Sequence, residues 1–533
     1  MRHLEYPGRS PVAAPNGMAS TSHPLSTQAA ITILQDGGNA LDAAIAACAV
    51  QCVVEPESTG IGGDCFCLYA PYGRDSIIAF NGSGRAPGGL SSDRLLEQGI
   101  SRIERQSPHA VTIPGAVDAW TQLNRDHGSL ELARVLAPAI AYARDGYPIT
   151  QRVAHDFAGA FDWLDEDART VFARDGAPLP LGARHTQPAL AATLERIGRD
   201  GRDGFYDGPV ASEIIAKLRR LGGHHTAEDF AAAIGEYVEP ISTSFRDHKV
   251  WQCPPNGQGV IALMLLNIMQ HASGSDANRE AGPLTAERIH LEIEAGRLAY
   301  RDRGLVLADP AQAGVPVPDM LDPAYADRLW HQITPDRRLD PLPPSQLPRH
   351  SSTVYITVVD RDRNCCSFIN SLYDNFGSGL FAPESGVMLH NRGQGFVVDP
   401  DHPNGVAPGK RPLHTLIPGM VTKDGQVTIS YGVMGGEYQA FGHMQFLTRH
   451  FDYGMDMQMA QDTARFFPDP FSESVDIEAP VPADIRAALS RLGHNLRPAG
   501  KPIGGSQAIS IDWKTGLLTA GSDPRKDGCA MGY

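Results

Sequence analysis

Residues 335–350 read PDRRLDPLPPSQLPRH, with five prolines, and Thr353-Val354-Tyr355-Ile356-Thr357-Val358-Val359 follows almost at once. Proline fixes φ and has no N–H to donate, so the first stretch is barred from helix interiors and central strands. It reads as an extended, exposed linker. The second stretch is rich in β-branched residues and suits a strand buried on both faces. The turn Asp360-Arg361-Asp362-Arg363-Asn364 and a second strand over Cys365–Ser371 come next. Upstream the character differs. A helical pattern runs from Ser26 to Val54, interrupted by Gly37-Gly38, and leads to the turn Ser58-Thr59-Gly60-Ile61-Gly62-Gly63-Asp64 and a strand-like run over Cys65–Tyr69. Residues 111–334 read mostly as helix, with amphipathic stretches over Leu132–Arg144, where Pro138 is expected to kink the helix, and Leu284–Arg303. A helix-rich first two thirds thus meets a strand-rich last third at a proline seam, where a nicked or two-chain protein would divide.

Composition narrows the partners. Asp and Glu number 61 against 46 Lys and Arg, a formal charge of −15 over 533 residues. That field repels phosphate backbones and anionic headgroups, so neither nucleic acid nor a membrane surface is an expected partner. The most apolar run, Ala43–Val54, is broken by Gln51 and falls short of the ~18 residues a membrane span needs. The opening MRHLEYPGRSPVAAPNG has no apolar core of the secretory type, which makes a cytoplasmic location the default expectation. The eight cysteines form no Cys-x-x-Cys, and adjacent Cys365 and Cys366 would point to opposite faces of a strand. Buried reduced thiols are expected, with no metal site, no disulfide framework and no cofactor. The glycine turn at 58–64 precedes its strand instead of following one, and no Gly-Lys-Ser/Thr is present there, so nucleotide binding is not expected.

The seam runs into Ser351-Ser352-Thr353. A threonine hydroxyl is a weak nucleophile without a base beside it. Cutting the bond between Ser352 and Thr353 would free an α-amine on the same residue, and an amine with an ordinary pKa of ~7.7–8 can take the hydroxyl proton near neutrality. Taken alone this motif is weak, because a Thr opening a strand is commonplace.

Longer matches add to it. Ser22-His23-Pro24-Leu25, Gly37-Gly38-Asn39-Ala40-Leu41-Asp42-Ala43-Ala44, Pro114-Gly115-Ala116-Val117, Phe205-Tyr206-Asp207-Gly208, Pro254-Pro255 ahead of Gly257, Ala299-Tyr300-Arg301-Asp302-Arg303, Phe376-Gly377-Ser378-Gly379, Lys410-Arg411-Pro412-Leu413 and the ending Ser522-Asp523-Pro524-Arg525 with Gly532-Tyr533 occur in this order. Together they resemble the γ-glutamyltransferase family, from about residue 18 to the last. The resemblance implies an α/β (α+β) fold, the four-layer αββα N-terminal-nucleophile hydrolase sandwich. It also implies a precursor that cuts itself into a large subunit, residues 1–352, and a small subunit, residues 353–533, which stay together as a heterodimer. Whether two heterodimers associate is left open. By the same resemblance Thr353 is the nucleophile, Ser371 the supporting hydroxyl, and Gly435-Gly436 the oxyanion hole, where the absence of Cβ lets the backbone close on a tetrahedral oxyanion.

Departures from the family pattern bear on substrate. The family's acidic partner for a substrate α-ammonium lies in an Asn-Gln-x-x-Asp-Phe segment; here the segment is Asn391-Arg392-Gly393-Gln394-Gly395-Phe396, so the acid is lost and a cation arrives. Tyr373 replaces an expected Asn, and His414-Thr415 replaces a Ser-Ser pair. The arginine that grips an α-carboxylate falls on Ser83, with Arg85 two residues on as a candidate substitute. A site holding Arg392, Tyr373, His414, Thr415 and Arg85 suits a small anionic amide without an α-amine, because a bidentate arginine is the natural partner of a carboxylate. This is similar to the branch with oxamate amidohydrolase and glutaryl-type acylases. The alternatives are a genuine γ-glutamyltransferase or glutathione hydrolase that binds the amine through Asp374 or Glu437, and a non-enzymatic binding or scaffold relative.

Overall fold

The computed structural model describes residues 8–74, 76–272, 280–342 and 353–533. Ser352 and the seam from 343 onward lie outside the described residues; the start of the seam, 335–342, is non-helical and exposed or half-buried.

Two seven-stranded antiparallel sheets form the centre. The first runs, in spatial order, through Cys529–Gly532, Met18–Thr21, Val354–Val359, Cys365–Ser371, Asp64–Ala70, Ile78–Gly82 and Glu236–Val238. The second runs through Val12–Ala14, Leu517–Ser522, Gly505–Asp512, Gln426–Met434, Gly419–Lys423, His248–Gln252 and Ile241–Phe245. Every residue of Val354–Val359 is buried, and the two-residue period of a strand divides them. Tyr355 and Val359 enter the core between the sheets, together with Phe66, Ile369, Met420 and Ile509. Ile356 and Val358 face a helical layer on the other side. Cys365 and Cys366 separate in the same way, one into each core.

That helical layer is built around Pro24–Gln35 and Ala40–Val54. All residues of Ala40–Val54 are buried, as befits a helix that is apolar on every side, and Asn39 and Asp42 close its start as a reciprocal capping box. This apolar segment is therefore an interior helix, and among the described residues no helix is long and apolar enough to cross a membrane. The outer face of the second sheet is covered by Gly259–Met269, Ala286–Val306 and Tyr438–Tyr453. Helices, sheet, sheet, helices: the four-layer αββα arrangement expected from the sequence is the one observed.

One expectation needs amendment. The mostly helical text from 111 to 334 also supplies Glu236–Val238, the last strand of the first sheet, and Ile241–Phe245 and His248–Gln252, the last two of the second. Pro138 lies inside the helix over Leu132–Asp145. Strands from before and after the seam also interleave, Met18–Thr21 lying between Cys529–Gly532 and Val354–Val359.

The two sheets are in close contact at Gly432, where an added Cβ would lie 2.3–2.6 Å from ring atoms of Tyr355. The Tyr355 hydroxyl is itself bonded to Ser367 Oγ at 2.6 Å. Gly432→Ala is expected to lose ~1–3 kcal/mol in denaturant unfolding by forcing the sheets apart. Tyr355→Leu should then cost less in that background than in the wild type; independent, additive losses would show that the contact does not set the sheet spacing.

Candidate functional site

Strand register assembles the site. Val354 pairs with Asn370, so Thr353 lies one step beyond, opposite Ser371. Ser371 in turn pairs with Asp64 on the next strand. Directly opposed residues share a face of a sheet, which puts Thr353, Ser371 and Asp64 in one row at one end of the first sheet.

Thr353 Oγ1 is 3.4 Å from Ser371 Oγ and receives a bond from Gln439 Nε2 at 3.3 Å. Ser371 Oγ also accepts the backbone N–H of Tyr373 at 2.8 Å. Tyr373 reaches that position with φ +85, a left-handed conformation rare for a bulky residue and concentrated at functional sites. Gly435 and Gly436 lie between the strand Gln426–Met434 and the helix Tyr438–Tyr453, with φ +122 and +58. A Cβ on Gly435 would sit 2.8 Å from Gly504 Cα. Backbone N–H groups at the start of a long helix are suited to developing negative charge. Gln258 braces this turn, its Nε2 donating to the carbonyls of Gly436 and Thr415 at 3.1 and 3.2 Å.

A cleft of about 370 Å³ opens over Thr353, bordered by Gly435, Glu437, Asp374, Lys501, Phe467 and Phe471 among others. Arg392, Tyr373, His414 and Thr415 stand one layer in, all fully buried. The connection between the layers is direct: Tyr373 precedes Asp374, and Asn391 Nδ2 donates to Asp374 Oδ2 at 2.8 Å. The Arg392 guanidinium lies 3.7 Å above the Tyr373 ring, a close cation–π contact, and its Nη1 donates to Thr415 Oγ1 at 3.1 Å. Its Nε and Nη2 have no hydrogen-bond partner among the described residues.

Burial controls the charges here. It lowers the Arg392 pKa to about 10, against the pull of Tyr373, Asp64, Asp374 and Glu437. It also lowers His414 to about 3, helped by Arg392 and resisted by Asp64, so this imidazole is neutral at physiological pH. Burial would raise the Asp64 carboxyl, but the adjacent imidazoles of His390 and His414 overcome that and hold it well below the usual carboxylate range. Burial raises the Tyr373 hydroxyl and the Glu437 carboxyl, the latter against its ion pair with Arg303.

Arg85 lies elsewhere. Its guanidinium is paired with Glu236, lies 3.8 Å from Asp309 and donates to the Gly409 carbonyl, and it does not border the cleft. Ser83 is buried and its hydroxyl accepts from Asn256 Nδ2. Gln439 and Asp64 were not singled out from the sequence. The helix position of Gln439 gives no local sign of its contact with Thr353, while Asp64 closes the glycine turn and could have been weighed as a buried acid.

Among the described residues, His290, Glu294 and His494 bring possible metal donors within 4.8 Å of one another. The two rings are bonded to each other at 2.7 Å, His290 Nε2 is bonded to the Thr334 carbonyl, and Glu294 is paired with Arg297. His494 Nδ1 lies 3.9 Å from Glu294 and has no hydrogen-bond partner among the described residues.

The chain is similar to known proteins along nearly its whole length. Residues 26–533 match the sequence family described as gamma-glutamyltranspeptidase. The glutathione hydrolase-like YwrD proenzyme of Bacillus subtilis is 37% identical over 527 residues, covering 97% of this chain and 98% of that protein. The oxamate amidohydrolase proenzyme of Klebsiella pneumoniae is 34% identical over 535 residues, covering 97% and 98%. Among solved structures, cephalosporin acylase from Bacillus halodurans superposes with a TM-score of 0.92 at 38% identity, covering 100% of this chain and 99% of that one.

Gly435→Ala tests whether the turn takes part in the reaction. The left-handed backbone and the contact with Gly504 should displace the neighbouring N–H groups and lower kcat by ~10²–10³-fold, with the circular dichroism spectrum unchanged. A variant with wild-type kcat would detach this turn from the chemistry.

Proposed function

Because the chain belongs to the γ-glutamyltranspeptidase family of N-terminal-nucleophile hydrolases and acylases, we propose that it matures by cleavage before Thr353 and hydrolyses a small amide that carries a carboxylate. Oxamate-type amides and dicarboxylic monoamides are the candidate substrates. The large piece, residues 1–352, and the small piece, residues 353–533, then persist as a heterodimer.

The chemistry follows from Thr353. Its Oγ1 attacks the amide carbon, and the α-amine freed by cleavage accepts the hydroxyl proton. The Gly435 and Gly436 N–H groups hold the oxyanion. Collapse of the tetrahedral intermediate breaks the C–N bond, and the amine leaves with the proton returned to it. Water attacks the acyl ester, regenerates Thr353 and releases the acid. Ser371 and Gln439, at 3.4 and 3.3 Å from Thr353 Oγ1, orient the attacking oxygen.

One observation carries the substrate reading: Arg392 is a buried cation with two donor nitrogens that no described residue takes up, next to the row that holds Thr353. A carboxylate is the complementary ligand for such a fork. The relatives named oxamate amidohydrolase and cephalosporin acylase lend support. A second reading, a γ-glutamyl hydrolase or transferase, draws on Asp374, whose position at the cleft suits an α-ammonium. Glu437 is less available for that role because Arg303 already pairs with it.

Prolonged incubation of the purified protein at neutral pH should convert the 57.3 kDa chain into two species, the smaller beginning at Thr353. Thr353→Ala should abolish both conversion and turnover; a processed, active Thr353→Ala protein would overturn the assignment. Oxamate and glutaryl amides are expected to be hydrolysed in preference to a γ-glutamyl anilide. Rapid turnover of that anilide, accelerated by a dipeptide acceptor, would favour the second reading.

A further inference from the structure

Asp64 is fully buried at the end of the row that begins with Thr353. Its two oxygens are used differently. Oδ1 accepts the backbone N–H groups of Gly84 and Gly115, at 2.9 and 3.2 Å. Both glycines are closely packed against backbone: a Cβ on Gly84 would meet the Ile113 carbonyl at 1.9 Å, and one on Gly115 the Gly82 carbonyl at 2.2 Å. The carboxylate is thus clamped by main chain that cannot readily shift.

Side chains from outside its strand gather about Oδ2. His414 Nε2 is 3.0 Å away, and because His414 Nδ1 accepts the Leu416 N–H, the ring proton resides on Nε2 and points at Asp64. His390 Nδ1 is 3.5 Å away, its other nitrogen bonded to the Thr112 carbonyl at 2.8 Å. Arg392 Nε is 3.9 Å away.

The last distance is the informative one. A carboxylate whose task was only to neutralise a buried arginine would engage the guanidinium at hydrogen-bond length, commonly through two parallel bonds. Asp64 spends its acceptors on two backbone N–H groups and an imidazole. It acts on Arg392 through space and leaves its donors unconsumed. With the Tyr373 ring on one face and Thr415 on Nη1, the guanidinium is oriented and kept charged while Nε and Nη2 stay without a hydrogen-bond partner among the described residues.

We propose that Asp64 is a positioning residue for substrate selection: clamped by Gly84 and Gly115 and buttressed by His414, it fixes Arg392 as the receptor for the carboxylate of the acyl group. The proposal rests on the reading of Arg392 given above and adds how the receptor is held.

The test compares glutaryl-p-nitroanilide with butyryl-p-nitroanilide, its uncharged counterpart, on mature enzyme whose processing is checked by mass. Asp64→Asn, which keeps shape and removes charge, should raise KM for the glutaryl substrate at least ~10-fold while KM for the butyryl substrate changes less than ~2-fold. Asp64→Glu retains the charge but displaces it by one methylene, and circular dichroism of both variants against the wild type establishes that they fold. It should show the same selective rise at ~3–10-fold. Equal changes for both substrates, or none, would reduce Asp64 to a structural carboxylate and overturn the proposal. If the wild type itself shows no preference for the glutaryl substrate, the carboxylate-directed reading fails first and takes this inference with it.

Discussion

Antiparallel register between three neighbouring strands is the constraint on which the site depends. A slip of one residue between Val354–Val359 and Cys365–Ser371 would move Thr353 out of line with Ser371 and exchange the faces of every side chain on the shifted strand. Such a slip is opposed from both sides. Ile356 and Val358 are committed to the helical core, Tyr355 and Val359 to the core between the sheets, and neither set fits the other's space. The position of Thr353, the proposed nucleophile, is thus fixed by hydrophobic packing along the strand it opens, and its neighbours Ser371 and Asp64 need only be placed at the matching positions next door.

The electrostatics of the site follow from enclosure. Withdrawing a charge from water is expensive unless other groups replace its solvent, so each buried ion has a built environment. Glu437 has Arg303, which also bonds Gln258, the residue that braces the Gly435-Gly436 turn. Asp64 has backbone and imidazole. Arg392 has an aromatic face, a hydroxyl and a distant carboxylate, an environment that supports the cation yet leaves donor nitrogens unused. Complete satisfaction would make it an inert strut. Partial satisfaction in a dry layer next to a cleft is the feature on which the proposed carboxylate role of Arg392 rests.

Local pattern made much of this legible. Val354–Val359 and Cys365–Ser371 were readable because β-branched residues and a five-residue turn define a hairpin without reference to anything distant, and Gly37-Gly38 marked the break between two helices. Glu236–Val238 and Ile241–Phe245 were not, because short edge strands in polar text carry little periodic signal. Arg392 stood out as an unexpected cation, but its burial could not be foreseen: that depends on Tyr373 and Thr415 folding over it from other segments. The Asp64–His414 bond joins residues 350 positions apart, and no local rule connects them. Arg85, two positions from where a carboxylate grip was sought, is drawn aside by Glu236, a residue of one of those unread edge strands.

The interleaving of strands from the two sides of the proline seam has a consequence for how such a molecule can be made. Met18–Thr21 has Cys529–Gly532 on one side and Val354–Val359 on the other, so neither portion owns a continuous sheet. Two separately translated halves would each display unpaired strand edges, open to any foreign strand. Covalent continuity through the linker holds the halves at high effective concentration while the layers assemble; once it is severed, reassembly becomes a meeting of two molecules and depends on their dilution. A gene could not divide at the seam without surrendering that advantage, and a severed molecule that unfolds has lost the means by which it first folded.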